Sequence, residues 1–172
     1  MKLSIRELAV FSMLGALMYA SKAIMEFLPN VHLIGMLVVT LTVVYRRKAL
    51  WPIYIFVFLV GLMNGFSLWW LPYLYIWTLL WGAVMLLPKE LPRKYKAIIY
   101  MAVCSAHGFL YGTLYAPAQA LLFGLNFKEM IAWIIAGLPW DCVHGISNLI
   151  CGALIVPLSD TILKLEKRYP GN

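Results

Sequence analysis

Trp69–Leu87, WWLPYLYIWTLLWGAVMLL, contains no charged residue, and the nine residues after it, Pro88–Lys96 (PKELPRKYK), contain five. An apolar run of about 20 residues is the length that crosses the hydrocarbon core of a bilayer. The abrupt change to a charged stretch marks the return to water. The rest of the chain repeats this alternation, and it fixes the fold class as an all-α bundle in a membrane.

Working outward from that stretch, the apolar runs set six transmembrane helices. The first runs from about Ile5 to Phe27 and is stopped by Pro29 and Asn30. The second runs from about Val31 to Tyr45 and ends at Arg46, Arg47 and Lys48. The third covers about Ala49 to Phe66, with Pro52 in its first turn, where a missing N–H costs nothing. Trp69–Leu87 is the fourth. The fifth runs from Ala97 to about Ala116, and the sixth from Pro139 to Leu158. Pro117–Leu138 is apolar but interrupted by Pro117, Gly124, Asn126, Lys128 and Glu129. It reads as a partly buried lid or as an extension of the sixth helix, with Asn126 capping a short helix that contains Trp133.

Composition agrees. Of 172 residues, 63% are hydrophobic and only 12% charged, and the mean hydropathy is +0.85. Soluble domains carry about 25% charge. Six spans leave no room for a soluble domain, so the chain reads as a single membrane domain, 1–172, and its function has to lie within the membrane part. The lead Met1–Glu7 has no convincing cleavage site after it and reads as the start of a retained first helix. Cys104, Cys142 and Cys151 all lie in apolar runs, in an odd number and without a CxxC pair, and read as small core residues.

The net charge of +7 would raise the question of nucleic acid in a soluble protein. Here its distribution is topological. With a cytoplasmic N-terminus the inner side holds Lys2, Arg6, Arg46, Arg47, Lys48, Lys89, Arg93, Lys94, Lys96, Lys164, Lys167 and Arg168, and the outer side only Lys22 and Lys128. Cytoplasmic loops are enriched in Lys and Arg. Both termini are therefore expected in the cytoplasm of a multi-pass cell-membrane protein. A seventh span would put the C-terminal basic cluster outside.

This orientation gives each polar residue a depth. His107, Tyr111 and Tyr115 are four apart and share a face of helix five, as Asp141, His144 and Asn148 do on helix six. Asn64, Trp69, Tyr73 and Trp77 fall in the outer halves of helices three and four, with Trp70 beside them. Lys22 and Glu26 end helix one, and His32 starts helix two on that side. Ionisable groups inside a membrane face the bundle interior or a wet cavity and mark sites. Aromatics with a few hydrogen-bonding groups suit a small, polar, ring-containing ligand. The candidate ligand-binding set is Asn64, Trp69, Tyr73, Trp77, His107, Tyr111, Tyr115, Asp141, His144 and Asn148. Plainer readings stand beside it: Trp69, Trp70 and Trp133 as an interfacial belt, Lys22–Glu26 as an i,i+4 pair, and Asp141 as a carboxylate at a helix N-terminus just after Pro139. Ser12, Ala16 and Ala20 form a small-residue stripe on helix one, which permits close approach of another helix, within the bundle or outside it.

On two of these features the chain resembles the substrate-binding S components of energy-coupling factor (ECF) vitamin transporters. The first is Ala16-Leu-Met-Tyr-Ala20, similar to the family's AxxxA motif. The second is Gly137-Leu-Pro-Trp-Asp-Cys-Val-His-Gly-Ile-Ser-Asn148 followed by Pro157, similar to a Leu-Pro-aromatic-Asp/Asn opening with a later Asn. The resemblance extends over the whole chain in size, helix number and basic inner loops. It implies a non-enzymatic protein without a cofactor of its own, which captures a vitamin or precursor from outside with high affinity. It also implies a transmembrane coupling subunit docking at Ser12, Ala16 and Ala20, and two cytoplasmic subunits that use ATP. The chain has no GxxxxGK[ST] sequence to serve as an ATPase itself. Thiamine-like, folate-like, queuosine-precursor and cobalamin-class ligands all fit the pattern, and the extent of the outer aromatic surface points to cobalamin or another large ring. Two other classes compete. One is an intramembrane metal enzyme using Asp141, His144 and His107, although HExxH and GxSxG are both missing. The other is a self-sufficient small-solute carrier.

Overall fold

The computed structural model describes residues 3–169, so Lys2 lies outside the described residues. The chain is helical, with no strand among the described residues. In order it forms α1 (Ile5–Ile24), α2 (Ile34–Tyr45), a 3-10 turn (Arg46–Ala49), α3 (Leu50–Asn64), a second 3-10 turn (Leu68–Trp70), α4 (Tyr73–Leu86), α5 (Arg93–Phe109), α6 (Tyr111–Phe123), α7 (Phe127–Gly152) and α8 (Ile155–Arg168). Four helical stretches are long and apolar enough to cross a membrane: Ile5–Ile24, Leu68–Leu86, Arg93–Phe123 and Phe127–Gly152. At about 1.5 Å per residue, the 12 residues of α2 and the 15 of α3 are shorter rods than the other four.

α1 shows why the bundle belongs in lipid. A capping box starts it: Glu7 N–H donates to Ser4 Oγ at 3.1 Å and Ser4 N–H to Glu7 Oε2 at 3.0 Å. Phe11, Gly15 and Met18 face inward, yet Ile5, Leu8, Met13, Leu17 and Ile24 on the other faces are exposed. A helix apolar all round needs an apolar surround. Gly15 lets α1 close on α3, because a Cβ there would stand 2.5 Å from Ile55 Cγ2 and 3.0 Å from the Pro52 carbonyl. α2 is the centre of the bundle. It is buried from Ile34 to Thr42 except at Leu37. The Thr42 hydroxyl is satisfied within the helix, on the Val38 carbonyl at 2.6 Å.

Polar contacts gather the basic segments at one end. Arg6 pairs with Glu166 at 3.1 Å, Tyr45 donates to the same carboxylate at 3.0 Å, and Lys48 pairs with Glu7. Lys96 meets Asp160 at 3.1 Å, and the Arg46 guanidinium donates to the Met85 carbonyl at 3.1 Å. The start of α1, the α2–α3 turn, the end of α4, the start of α5 and α8 therefore share that end.

The second half departs from the sequence expectation. The fifth helix begins at Arg93 and continues to Phe123, broken only at Leu110. Arg93, Lys94 and Lys96, expected in a loop, form its first turns. Pro139 does not start the last helix but lies inside α7, which begins at Phe127. The start signal is the one expected for a short helix: Asn126 caps the Glu129 N–H at 3.1 Å, and Glu129 returns the bond at 2.8 Å. Phe127–Leu138 is thus an extension of the last helix and not a lid, and Pro117–Phe123 belongs to α6. Gly124, at φ 68, supplies the left-handed residue that ends α6 and turns the chain back. The last helix does not reach Leu158. It stops at Gly152, and the amphipathic α8 follows with Ile155 and Ser159 buried. Of the three cysteines, Cys104 is buried but Cys142 is exposed on the outer face of α7, so it is no core residue.

Candidate functional site

At the end of the bundle away from the basic segments, a cavity of about 330 Å³ opens among six segments. α1 contributes Lys22 from its last turn, and the connection to α2 contributes Glu26 and Leu28 to His32. The second 3-10 turn contributes Trp69, α4 contributes Tyr73, and Tyr111, Tyr115 and His144 come from α6 and α7. Asn30, at φ 59, turns the connection so that His32 enters the cavity wall. Trp77 lies beneath, 1% exposed, with its ring centroid 6.0 Å from Tyr111 and 5.6 Å from His107.

The centre of the site is an imidazole pair. His144 is 2% exposed, and its ring lies 4.6 Å from His32 edge to face and 4.9 Å from Tyr111. Both nitrogens of His144, and Nδ1 of His32, have no hydrogen-bond partner among the described residues. A buried polar atom left unpaired costs about 1–3 kcal/mol, so the cavity wall carries imidazole nitrogens with unmet hydrogen-bonding capacity. Each neutral imidazole has one donor and one acceptor nitrogen. Around them, Tyr115 stacks on Trp133 at 5.8 Å and donates to the Trp69 carbonyl at 2.9 Å, which ties α6, α7 and the second 3-10 turn into one wall. Lys22 and Glu26 are the i,i+4 pair expected, at 3.6 Å, and both also line the cavity.

The expected site residues divide into three groups. Trp69, Tyr73, Tyr111, Tyr115 and His144 line the cavity. Trp77 and His107 form the packed layer below, where His107 Nε2 is 3.2 Å from the Ile76 carbonyl. Asn64, Asp141 and Asn148 are elsewhere. Asn64 is exposed at the end of α3. Asp141 does not cap its own helix, since it sits in the middle of α7. Both its oxygens accept from the Gly112 N–H, at 3.0 and 3.1 Å. Gly112 is the second residue of α6, where helical N–H groups lack an internal partner. Asp141 therefore caps α6 from across the bundle, at the break that directs Tyr111 and Tyr115. Asn148 is fully buried and donates to the Cys104 carbonyl at 3.2 Å. Glycine notches surround it: a Cβ on Gly35 or Gly108 would meet its amide at 2.9 Å. It clamps α2, α5 and α7 together below the cavity.

The residues left out of the expected set are His32, Lys22 and Glu26. Their polarity and depth are legible in the sequence, and binding residues concentrate on connections. What it lacks is the turn at Asn30 that swings His32 onto His144.

A second cavity, of about 390 Å³, lies at the opposite end, between α1, the α2–α3 turn and α8. Its charged groups, Arg6, Glu7, Lys48 and Glu166, are already matched to one another, which leaves little for a ligand to satisfy. Among the described residues no three His, Cys, Asp or Glu side chains are grouped to hold a metal ion. Asp141, His144 and His107 are not brought to a common point, since Asp141 is turned to Gly112 and His107 to Ile76. Ser12, Ala16 and Ala20 are exposed, on the side of α1 away from Phe11, Gly15 and Met18. No protein-family model, curated protein or solved structure matches this chain.

Proposed function

We propose that the chain is the membrane-embedded, high-affinity substrate-binding subunit of an ATP-driven vitamin uptake transporter of the ECF type. In this reading it spans the cell membrane six times, with both termini and the ion-paired basic end in the cytoplasm. The cavity then opens to the outside. The observation that carries the reading is the cavity itself, an aromatic pocket at the end away from the basic loops, centred on buried imidazoles without a partner. The partner reading is supported by the Ser12–Ala16–Ala20 stripe, which lies outside the bundle where a transmembrane coupling subunit can approach it. Two cytoplasmic ATPases complete the assembly. The chain binds without catalysing a reaction.

The cavity also bears on ligand size. At about 330 Å³ it is near the lower limit for small-molecule sites, about 300–1,000 Å³. A compact one- or two-ring compound fits this space as it stands, whereas cobalamin or another large ring would extend out through its open face. The experiment is mass spectrometry of small molecules that co-purify with the protein, paired with uptake by proteoliposomes. A ring compound retained by the wild type and lost in His144→Ala supports the reading. Uptake by the chain alone, without ATP or partner subunits, would replace it with a self-sufficient carrier.

A further inference from the structure

The charges around the cavity are unevenly placed. Lys22 and Glu26 are the cation and anion of its wall, but their side chains are 20% and 61% exposed. The ammonium is turned in and the carboxylate out. Their separation of 3.6 Å is long for a charge-assisted hydrogen bond, whose usual length is about 2.7–2.9 Å. The other acid expected at the site, Asp141, is held by Gly112 and does not line the cavity. The interior therefore presents one poorly matched cation, aromatic faces at Tyr73 and Tyr111, and the unpartnered nitrogens of His32 and His144.

Given the reading of this cavity as a capture site, we propose that it selects planar heteroaromatic carboxylates over neutral or cationic analogues. The ring lies among Tyr73, Tyr111 and Trp69, the imidazoles bond the polar edge of the ring, and Lys22 takes the carboxylate. Glu26, mostly in water, gives up its partner at little cost, because exposed ion pairs contribute about 0–1 kcal/mol. The exchange is favourable because a charge pair strengthens as its surroundings become drier. Aromatic faces also attract cations, so a charge series is the decisive comparison.

Quinoline-3-carboxylate, quinoline-3-carboxamide and 1-methylquinolinium-3-carboxamide have nearly the same shape and carry charges of −1, 0 and +1. Each is titrated calorimetrically into the purified full chain in detergent. The carboxylate binds about ten-fold or more tighter than the carboxamide, the order expected for one charge-assisted hydrogen bond, and the cation binds weakest. Lys22→Gln brings the carboxylate down to the carboxamide. Lys22→Arg retains the preference, which separates loss of charge from loss of fold. Equal or tighter binding of the cation, or a preference that survives Lys22→Gln, overturns the proposal. So does failure of all three compounds to bind. In that case the co-purified ligand still tests the capture reading independently.

Discussion

Asp141→Ala removes the carboxylate that caps α6 and leaves the buried Gly112 N–H facing an alkyl group. A hydrogen bond to a charged group contributes about 1.5–3 kcal/mol, and a buried donor left unpaired costs about 1–3 kcal/mol. These are two views of the same contact and do not add, so the expected loss is about 2–3 kcal/mol. Asp141→Asn keeps one oxygen within reach of Gly112 and retains a neutral bond of about 0.5–1.5 kcal/mol, so it should lose only the difference, about 1–1.5 kcal/mol. Gly112→Ala attacks the contact from the other side, because its Cβ would stand 2.5 Å from Asp141 Oδ2. The assay is reversible unfolding of the empty protein by SDS titration in mixed micelles, with ligand affinity measured beside it. His144→Ala is the counterpart. It should leave stability within about 1 kcal/mol of the wild type while weakening binding by roughly three-fold to a hundred-fold, from one lost ligand hydrogen bond. If Asp141→Ala leaves stability unchanged and reduces affinity as much as His144→Ala, the carboxylate serves the ligand and its assignment as a tertiary cap is wrong.

Four further outcomes are expected. In a background without Cys104, Cys142 and Cys151, a cysteine at Lys128 should react with an impermeant thiol reagent outside the cell, and one at Lys94 should not; labelling of Lys94 from outside would reverse the orientation. Replacing Ala16 and Ala20 with Trp should prevent co-purification with the coupling subunit and leave ligand titrations unchanged, since both positions are exposed outside the bundle. Gly35→Ala should destabilise by about 1–3 kcal/mol through overpacking, because its Cβ would meet the Asn148 amide at 2.9 Å; a neutral effect in SDS titration would show that Asn148 has room to move. Ser159→Ala removes a buried hydroxyl with no partner among the described residues and should be neutral or slightly stabilising, with affinity unchanged.

The all-helical class and the clustering of basic segments are written in composition and in the placement of charge, which depend on the solvent and not on packing detail. Of the last helix, the capping box at Asn126 and Glu129 is legible, but it competes with Pro139, which imitates a helix start. The structure follows the box because a membrane helix tolerates an interior proline. The cavity wall from Trp69 to Tyr115 is legible because spacings of four put residues on one face. The role of Asp141 is not, because a cap supplied by another helix leaves no local signature. Gly112 lies 29 residues away from it. His32 is hidden for the same kind of reason: its direction depends on the backbone at Asn30, and its partner His144 is more than a hundred residues further on.

α1 carries Lys22 on the cavity wall and Ala16 and Ala20 on its outer side. From Ala16 to Lys22 is six residues, about 9 Å along a helix, and α1 is continuous over that length. A rod of this kind holds both features in fixed register, and the close approach of α1 to α3 at Gly15 and Ile55 sets where the rod lies. Were a neighbouring helix to dock on the small-residue stripe and shift the rod, Lys22 would shift with it, and by reciprocity an occupant that moved Lys22 would alter the docking face.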